Sequence, residues 1–562
     1  MSLFSGAEDF MSKRASKKYL DPKAWHNQFF RMVTSKIDEE IFKVLFPEGK
    51  KQGRPTASIR ILVAMSILKE GFGCSDEDMF EKCDYDMLTR RALGLSQLDD
   101  VSPSLDTYYL FRRRVCEYDA ANGTDLMKTC FESVTGEQVA ELMISGKCVR
   151  MDSKLIGSNI AHSSRYELIH KTLVVFLKAI AIEHLDAALT EQAKEYLAED
   201  STKTVYRSDK DTLNNRLQAI GNYIHKVLES VSETAPKYEL LKRVFNDQYE
   251  VVEGVVKLRD KKTISANSLQ SPYDEDASFR NKNDKKTEGY VTNITETVEE
   301  GKPSLITSVQ TETATHGDCS FLPDAVEASR RVTGQDVEEI FADGAYQSPE
   351  NREYAEKEQI ALKTGKMQGG CRFILNLKEG TDQLTVTDTT TGVVQKAIYM
   401  GYAPKPDKNG KKWRRWKIPF KHKDGIQSWR YFPEDEIRRS ELRQKILSED
   451  PKELAKRNNV EAAMFQYSFH TRNGKTRYRG LKKHRIQAYH RCMWMNLRRI
   501  VIFIGGLILT PILALLGLLR NSKRTSMEFF QKLLKTLYSP WTKPERDWQA
   551  SLRMSSVENL AF

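Results

Sequence analysis

The sequence has few glycines and prolines for its length and lacks paired cysteines. It contains 30 glycines and 17 prolines among 562 residues, which excludes a collagen-like or linker-dominated architecture. Its eight cysteines form no CxxC pair and no secreted-type framework, so a reducing, cytoplasmic compartment is predicted. The first twenty residues lack the apolar run of a secretory signal, and we expect no export signal. With 40% hydrophobic and 29% charged residues, the chain is too apolar for wholesale disorder.

The charge is basic overall, with 88 Lys and Arg against 77 Asp and Glu, a formal net charge of +11. One segment, residues 500–519, carries no charge and is long enough to span a membrane. Two buried helices broken at Pro511 would explain the same pattern. We prefer the second interpretation and expect no membrane partner.

Apolar periodicity and turn residues divide the chain into helical and strand-rich regions. Residues 1–135 resemble a bundle of short helices, with a helix from Ile59 that stops at Gly71 and Gly73. Capped restarts follow at Ser75 and Ser104. A helical insert is predicted at 165–255, a β-rich insert at 380–440 and a C-terminal tail at 521–562.

The remaining segments, 145–164, 285–379 and 450–520, together predict a mixed sheet flanked by helices. A strand from Lys147 ends at Asp152, and two strand-like runs, 289–297 and 304–313, flank a turn. A helix at 322–331, a strand at 337–342 ending before Asp343, and a helix at 451–469 complete the pattern. The predicted fold class is a multidomain α+β or α/β protein whose core is interrupted by two inserts.

Three acidic residues are candidate metal ligands because of their positions. Asp152 and Asp343 are predicted at the ends of neighbouring strands, and Glu461 lies in the closing helix. Carboxylates that converge at such an edge form an oxygen-rich pocket suited to Mg²⁺. Taken singly, an aspartate at a strand end is more often a cap or turn residue, and a helical glutamate is usually solvated.

Two basic clusters are candidate nucleic-acid contacts. The run from Thr471 to Ile500 has ten Lys or Arg and no acidic residue, as a phosphate-tracking surface requires. A solvated helix face is the alternative. The second cluster interleaves tryptophans with cations, which suits base stacking with phosphate contact, or equally a strand with its tryptophans in a core. Its members are Lys411, Lys412, Trp413, Arg414, Arg415, Trp416, Lys417, Lys421 and Lys423, with Trp429 beyond.

In their order, these segments resemble bacterial insertion-sequence transposases of the DDE class, whose catalytic domain has an RNase H-like fold. The resemblance covers nearly the whole chain. The matching segments are Gly53-Arg54-Pro55, Arg90-Arg91-Ala92-Leu93-Gly94-Leu95, Met151-Asp152-Ser153-Lys154, Ser271-Pro272-Tyr273-Asp274, Phe341-Ala342-Asp343-Gly344-Ala345-Tyr346, Arg457-Asn458-Asn459-Val460-Glu461 and Arg477-Tyr478-Arg479-Gly480. Two positions differ: Leu454 stands where some relatives have Tyr, and Ser468 stands where a Lys is expected, with Arg472 as a candidate substitute.

This resemblance implies a helical N-terminal DNA-binding domain and an Asp152, Asp343 and Glu461 triad that holds two Mg²⁺ ions, with Mn²⁺ as a substitute. It implies binding of terminal inverted repeats and of target DNA by a nucleoid-associated homodimer, followed by cleavage and strand transfer. The candidate DNA contacts are Arg457, Arg472, Arg477, Arg479, Lys482, Lys483, Trp413, Arg414 and Arg415. The alternatives are a metal-dependent nuclease without strand transfer and a non-catalytic DNA-binding protein.

Overall fold

The computed structural model describes residues 11–520 apart from 47–56, 98, 283, 366–370, 379, 407–409, 411, 422–426, 449, 451 and 453–454. The side chains of residues 184, 421 and 507–520 are likewise outside the description. The chain divides into two compact units, residues 1–499 and 500–562. The predicted C-terminal tail, 521–562, and Leu454 lie outside the described residues.

The N-terminal region is helical, as the sequence predicted. Its helices are α1 (Lys13–Tyr19), α2 (Trp25–Met32), α3 (Ile59–Phe72), α4 (Asp76–Tyr85), α5 (Met87–Leu93), α6 (Leu105–Asn122) and α7 (Leu126–Glu141). Ser75 and Ser104 cap α4 and α6 through their side chains, which confirms both predicted starts. Helix α3 ends at Gly73, whose φ of 70° is left-handed.

The prediction that Gly71 stops α3 is wrong, because Gly71 lies inside that helix. A Cβ at this position would overlap the indole ring of Trp494. Gly71 therefore serves the packing of α3 against the C-terminal part of the first unit and has no role in ending the helix.

Strand β1 (Cys148–Gly157) leads into the helical insert, which has its own apolar core. The insert comprises α8 (Arg165–Ala179), α9 (Ala187–Ala198), α10 (Ser201–Arg207), α11 (Lys210–Ser230) and α12 (Tyr238–Gln248). It ends in a hairpin of β2 (Tyr249–Val252) and β3 (Val255–Leu258), so the predicted helical character stops short of residue 255. Glu253 and Gly254 both have positive φ, as a tight two-residue hairpin turn requires.

The core is a six-stranded mixed sheet. Besides β1 it contains β4 (Ser278–Lys282), β5 (Lys285–Thr297), β6 (Ile306–Thr313), β7 (Glu339–Ala342) and β8 (Ala361–Thr364). The neighbours are β4-β5-β1-β7-β8, and β6 also pairs with β5. Strand β5 is antiparallel to β1 and β6, while β7 is parallel to β1 and β8. Helices α13 (Leu322–Thr333) and α14 (Pro349–Lys357) contribute to the core on one face.

The β-rich insert consists of two small sheets over one core. Strands β9 (Phe373–Leu377), β10 (Leu384–Asp388) and β11 (Val394–Lys396) form the first sheet. Strands β12 (Ile398–Tyr402), β13 (Arg414–Lys421) and β14 (Gln427–Pro433) form the second, and α15 (Glu434–Ser448) packs against β9. Because β9 pairs with β10 and not with the six-stranded sheet, the insert starts ahead of the expected residue 380.

Two helices follow, α16 (Asn459–Tyr467) and α17 (Leu481–Arg520). Within the part of the chain that the structure describes, no helix combines the length and apolar character needed to cross a bilayer. The side chains of 507–520, most of the apolar segment, are outside that part.

A buried cluster of charges joins the sheet to the C-terminal end of the first unit. Glu296 on β5 is fully buried and pairs with Arg150 at 2.5 Å and Arg499 at 2.6 Å. Arg150 also donates to the carbonyl oxygen of Lys456 at 3.0 Å and to Ser304 Oγ at 3.1 Å. This cluster fixes β1, β5 and the approach to α16 with respect to one another.

Replacing Glu296 by Gln is expected to lower the free energy of unfolding by about 3–5 kcal/mol, because two buried guanidinium groups lose their counter-charge. Urea unfolding measures the change. The exposed Glu300 provides the control: Glu300→Gln should shift stability by less than about 0.5 kcal/mol. Equal, small effects of both substitutions would contradict the assigned role of Glu296.

Two buried histidines are expected to make stability depend on pH. Burial lowers the pKa of His484 to about 4 and that of His490 to about 3, below the ordinary 6.5. Between pH 6.5 and about 4 the unfolded chain binds protons that the native chain does not bind. The contribution of these neutral histidines to the free energy of unfolding is therefore fully present above pH 6.5. It is lost as the pH falls, by up to about 1.4 kcal/mol per pH unit for each histidine.

Urea unfolding of His484→Phe at about pH 7 and about pH 5 tests this expectation. The variant should lose one histidine's share of the pH dependence, about 1.4 kcal/mol per pH unit. His162 is exposed and serves as the control, since His162→Phe should keep the wild-type dependence. An unchanged pH dependence in His484→Phe would show that the buried imidazole is not responsible.

Candidate active site and nucleic-acid interface

Asp152 on β1 and Asp343 directly after β7 come from two neighbouring parallel strands. Strands β1 and β7 pair in a register that sets Arg150 opposite Phe341. Two residues further along both chains, Asp152 falls beside Asp343, and adjacent strands are about 4.8 Å apart. The sheet thus brings together two residues that are far apart in sequence.

The prediction that Asp152 ends its strand is wrong. β1 continues to Gly157 because β5 pairs with it along its length, from Val149 with Thr297 to Gly157 with Gly289. Asp152 therefore lies in mid-strand, where its carboxylate is half-buried and accepts a hydrogen bond from the Ser153 N–H at 2.8 Å. Asp343 directly follows β7, as predicted, and accepts from the Gly344 N–H at 2.7 Å.

Arg457 connects the second aspartate to the glutamate helix. Its guanidinium Nη2 lies 3.7 Å from Asp343 Oδ1 and 3.5 Å from Glu461 Oε1. Arg457 lies in the turn just before α16 and four residues before Glu461, so its guanidinium reaches the Glu461 carboxylate from the start of the helix. The Arg457 Nε is buried and has no hydrogen-bond partner among the described residues.

One face of β1 carries three functional groups in a row. Side chains alternate along a strand, so Arg150, Asp152 and Lys154 share a face. Arg150 donates to the Lys456 carbonyl, and Arg457 acts electrostatically on Asp152. Lys154 donates to Ser468 Oγ, at the end of α16. The segment from 456 to 468 therefore lies along this face of β1.

The surroundings of Asp152 make its carboxyl group easier to protonate than that of an exposed aspartate. Burial raises the pKa of Asp152 to about 6, and the neighbouring Asp343 carboxylate acts in the same direction. The Ser153 N–H, Arg457 and Lys282 oppose this shift. Two carboxylates so close together create a demand for positive charge, which Arg457 meets in part.

The donor set suits a hard cation by its chemistry. Asp152, Asp343 and Glu461 offer only carboxylate oxygens, the ligands that Mg²⁺ prefers. Yet among the described residues no group of three or more His, Cys, Asp or Glu side chains lies close enough to hold a metal ion. Asp343 and Glu461 both face the Arg457 guanidinium, so a site with all three carboxylates requires this cation to withdraw.

The basic run 471–500 divides into cations with and without protein partners. Lys482 pairs with Asp119 at 2.7 Å and with Asp125 at 3.3 Å. Arg477 donates to the carbonyls of Gly73 and Cys74, and Arg479 donates to Asn159 O at 2.7 Å. Arg472 and Lys483 are exposed, and no ion pair involves them within the described residues. The last two are the best placed of the five predicted contacts for phosphate.

In the β-rich insert, some tryptophans and cations of the second basic cluster are packed within the insert, as in a strand with its tryptophans in a core. Trp416 is fully buried, with its indole N–H donating to Asp382 O at 2.8 Å. Arg414 pairs with Asp382 at 3.1 Å and with Glu434 at 3.2 Å. Trp413 lies under the Arg438 guanidinium, 5.8 Å from the ring centre. These side chains are engaged within the insert.

The opposite face of the same sheet is partly exposed. The second basic cluster of the sequence analysis included Arg415, Lys417 and Trp429 of this face and missed Tyr431. Lys417 Nζ lies 4.2 Å from the ring centre of Trp429, which is 48% exposed. Arg415 lies 5.5 Å from the ring centre of Tyr431, which is 43% exposed. The signal in the sequence is the two-residue spacing of Arg415 and Lys417, which places both side chains on the face opposite Trp416. We call these four side chains the cation-aromatic face.

In the N-terminal region, the Arg90-Arg91 pair has a structural role. Arg90 is buried and donates to the carbonyls of Cys83, Gln97 and Asp100 at 2.8–3.1 Å. Arg91 donates to Asn27 Oδ1 at 2.9 Å. These bonds fix the loop after α5 and the packing of α5 on α2.

Comparison with known proteins supports a transposase role. Residues 18–114 match the family model described as Transposase domain (DUF772). This match lies within the N-terminal helices and includes α3 through the first half of α6. No curated protein matches the chain.

Proposed function

We propose that the chain is a DNA transposase of the DDE class, with Asp152, Asp343 and Glu461 as its catalytic triad. The observation that carries the proposal is the meeting of Asp343 and Glu461 at one guanidinium, Arg457, which also acts on Asp152. The transposase-domain match in residues 18–114 supports the same conclusion independently of that geometry.

The strand order of the core sheet supports an RNase H-like catalytic domain. The two antiparallel strands β5 and β6 lie on one side of β1, and the two parallel strands β7 and β8 lie on the other. In this arrangement the first aspartate is central in β1 and the second follows β7. Both are then presented on one face, which α16 covers.

Asp152 and Asp343 are the residues that would hold Mg²⁺, joined by Glu461 when Arg457 turns away. When bound, Mg²⁺ would supply Lewis-acid activation of a water or a 3′-hydroxyl group and stabilisation of the leaving oxygen. Arg457 would exchange its carboxylate partners for a phosphate of the DNA, to which a guanidinium group can donate two parallel hydrogen bonds. Exchange of one phosphodiester for another needs no covalent protein intermediate.

DNA would be held at the element ends and at the target by several separate basic surfaces. Arg472, in the turn that follows α16, and Lys483, near the start of α17, offer exposed cations. The cation-aromatic face adds stacking surface on the β-rich insert, suited to bases that are unpaired or exposed. Pairing of two element ends implies a homodimer as the working form.

The Asp152→Asn variant tests the proposed chemistry. It should retain DNA binding and lose cleavage by about 10²-fold or more, because the carboxylate that holds the cation is gone. The assay uses a plasmid carrying the DNA that flanks the gene, with Mg²⁺ or Mn²⁺, and scores both free 3′ ends and strand-transfer product. Asp211→Asn, at an exposed position of the helical insert, is the control and should cleave normally.

Each outcome of this assay has a distinct meaning. Cleavage without any strand transfer would replace the proposal by a nuclease. Binding without cleavage by the wild-type protein would indicate a non-catalytic DNA-binding protein. Undiminished cleavage by Asp152→Asn would remove Asp152 from the triad.

The cation-aromatic face yields a separate prediction. Trp429→Ala should weaken binding of single-stranded or distorted DNA by about 1–3 kcal/mol, which is the loss of one stacked base. Fluorescence anisotropy with labelled oligonucleotides measures the affinity. Tyr206→Ala, which removes a 90% exposed aromatic ring from α10, is the control. An affinity of Trp429→Ala equal to that of the control would exclude the face from DNA binding.

A further inference from the structure

Lys154 is a cation inside the site that forms no ion pair with a carboxylate of the described residues and has no role in the proposed triad. It follows Asp152 by two residues on β1, so the two side chains leave the strand on the same face, about 6.6 Å apart along it. Its side chain is half-buried. Within the described residues no Asp or Glu forms an ion pair with it.

The hydrogen bonds of Lys154 are made to neutral groups. Its ammonium donates to Ser468 Oγ at 2.7 Å and to the Met464 carbonyl at 3.4 Å. Both acceptors belong to the C-terminal end of α16, where the helix dipole favours a positive charge. These bonds direct the ammonium towards the helix that carries Glu461, and the Asp152 carboxylate acts on it electrostatically without forming an ion pair.

A second ammonium approaches from β5. Lys285 is exposed, and its positive charge acts on Lys154. Its Nζ also lies next to Gly474, in the turn that follows α16. Two like charges near each other cost free energy, and a bound anion would relieve that cost.

We propose that Lys154 contacts a phosphate of the DNA strand whose phosphodiester reacts at Asp152. The positive charge at the end of α16 then comes from β1, because residue 468 at the end of α16 is a serine. The inference rests on the proposed function and extends it by assigning a substrate-binding residue. The Ser468 hydroxyl orients the ammonium. Lys285 is the neighbouring cation that makes the place attractive for an anion.

The test removes the ammonium and then restores it from the helix. Lys154→Met keeps the aliphatic stem and deletes the charge. In the double variant Lys154→Met/Ser468→Lys, the charge returns on the side chain that lies next to the original position. Lys147→Met is the matched control, because Lys147 precedes the same strand at its far end, is exposed and pairs with Glu338 at 2.8 Å.

Two readouts are taken on the full-length protein. The first is DNA binding without divalent metal as a function of salt concentration. Loss of one phosphate contact should reduce the slope of log affinity against log salt by about 0.9. The second is plasmid cleavage with Mg²⁺, which should fall by about 10²-fold in Lys154→Met. Thermal unfolding of every variant verifies that the fold is retained.

The expected result is a reduced salt slope and reduced cleavage in Lys154→Met, substantial recovery of both in the double variant, and wild-type behaviour in Lys147→Met. A double variant that stays as impaired as Lys154→Met would overturn the proposal, because a positive charge restored next to the original position should restore the phosphate contact. A wild-type salt slope in a folded Lys154→Met would overturn it as well.

Failure of the proposed function is distinguishable from failure of this inference. A wild-type protein that binds DNA without cutting it would refute the transposase proposal. The salt slope of metal-free binding would still decide whether Lys154 contacts phosphate.

Discussion

The buried ion cluster of Arg150, Glu296 and Arg499 is the interaction on which the site depends. Glu296 holds two guanidinium groups that are far apart in the sequence, Arg150 on β1 and Arg499 on α17. Arg150 uses its remaining donors to fix the Lys456 carbonyl, immediately before Arg457. The position of Arg457 against the two carboxylates is thus set by charges that lie outside the site. Removing one member of such a cluster leaves an uncompensated buried charge, whereas the intact cluster selects one register of strand and helix.

The site itself is a balance of charges at short range. Two aspartates on adjacent parallel strands repel each other, and Arg457 relieves this repulsion while also facing Glu461. A cation held between carboxylates in this way marks where positive charge is favoured. The same arrangement explains why the carboxylates are not drawn together into a ligand cluster.

The helices that match the transposase-domain family are joined closely to the rest of the first unit. The backbone carbonyl of Glu70 accepts a hydrogen bond from Arg491 at 2.9 Å, and the side-chain carboxylate of Glu70 accepts one from the Tyr478 hydroxyl. Gly71 admits the ring of Trp494, and Arg477 donates to the carbonyls that follow α3. Part of the basic run therefore serves to dock the N-terminal helices, which reduces the number of cations left for DNA.

Local features of this chain were determined by the sequence alone. The caps at Ser75 and Ser104, the left-handed Gly73 and the strand before Asp343 follow from interactions within a few residues, which a pattern can reveal. Tertiary structure alone decided which charges are free. Lys482 is paired with residues more than 350 positions earlier, and Trp416 is buried while Trp429 is exposed. Lys154 faces α16 and forms no ion pair within the part of the chain that the structure describes. Such partners meet only when distant strands and helices pack, so their neutralisation cannot be read from local spacing.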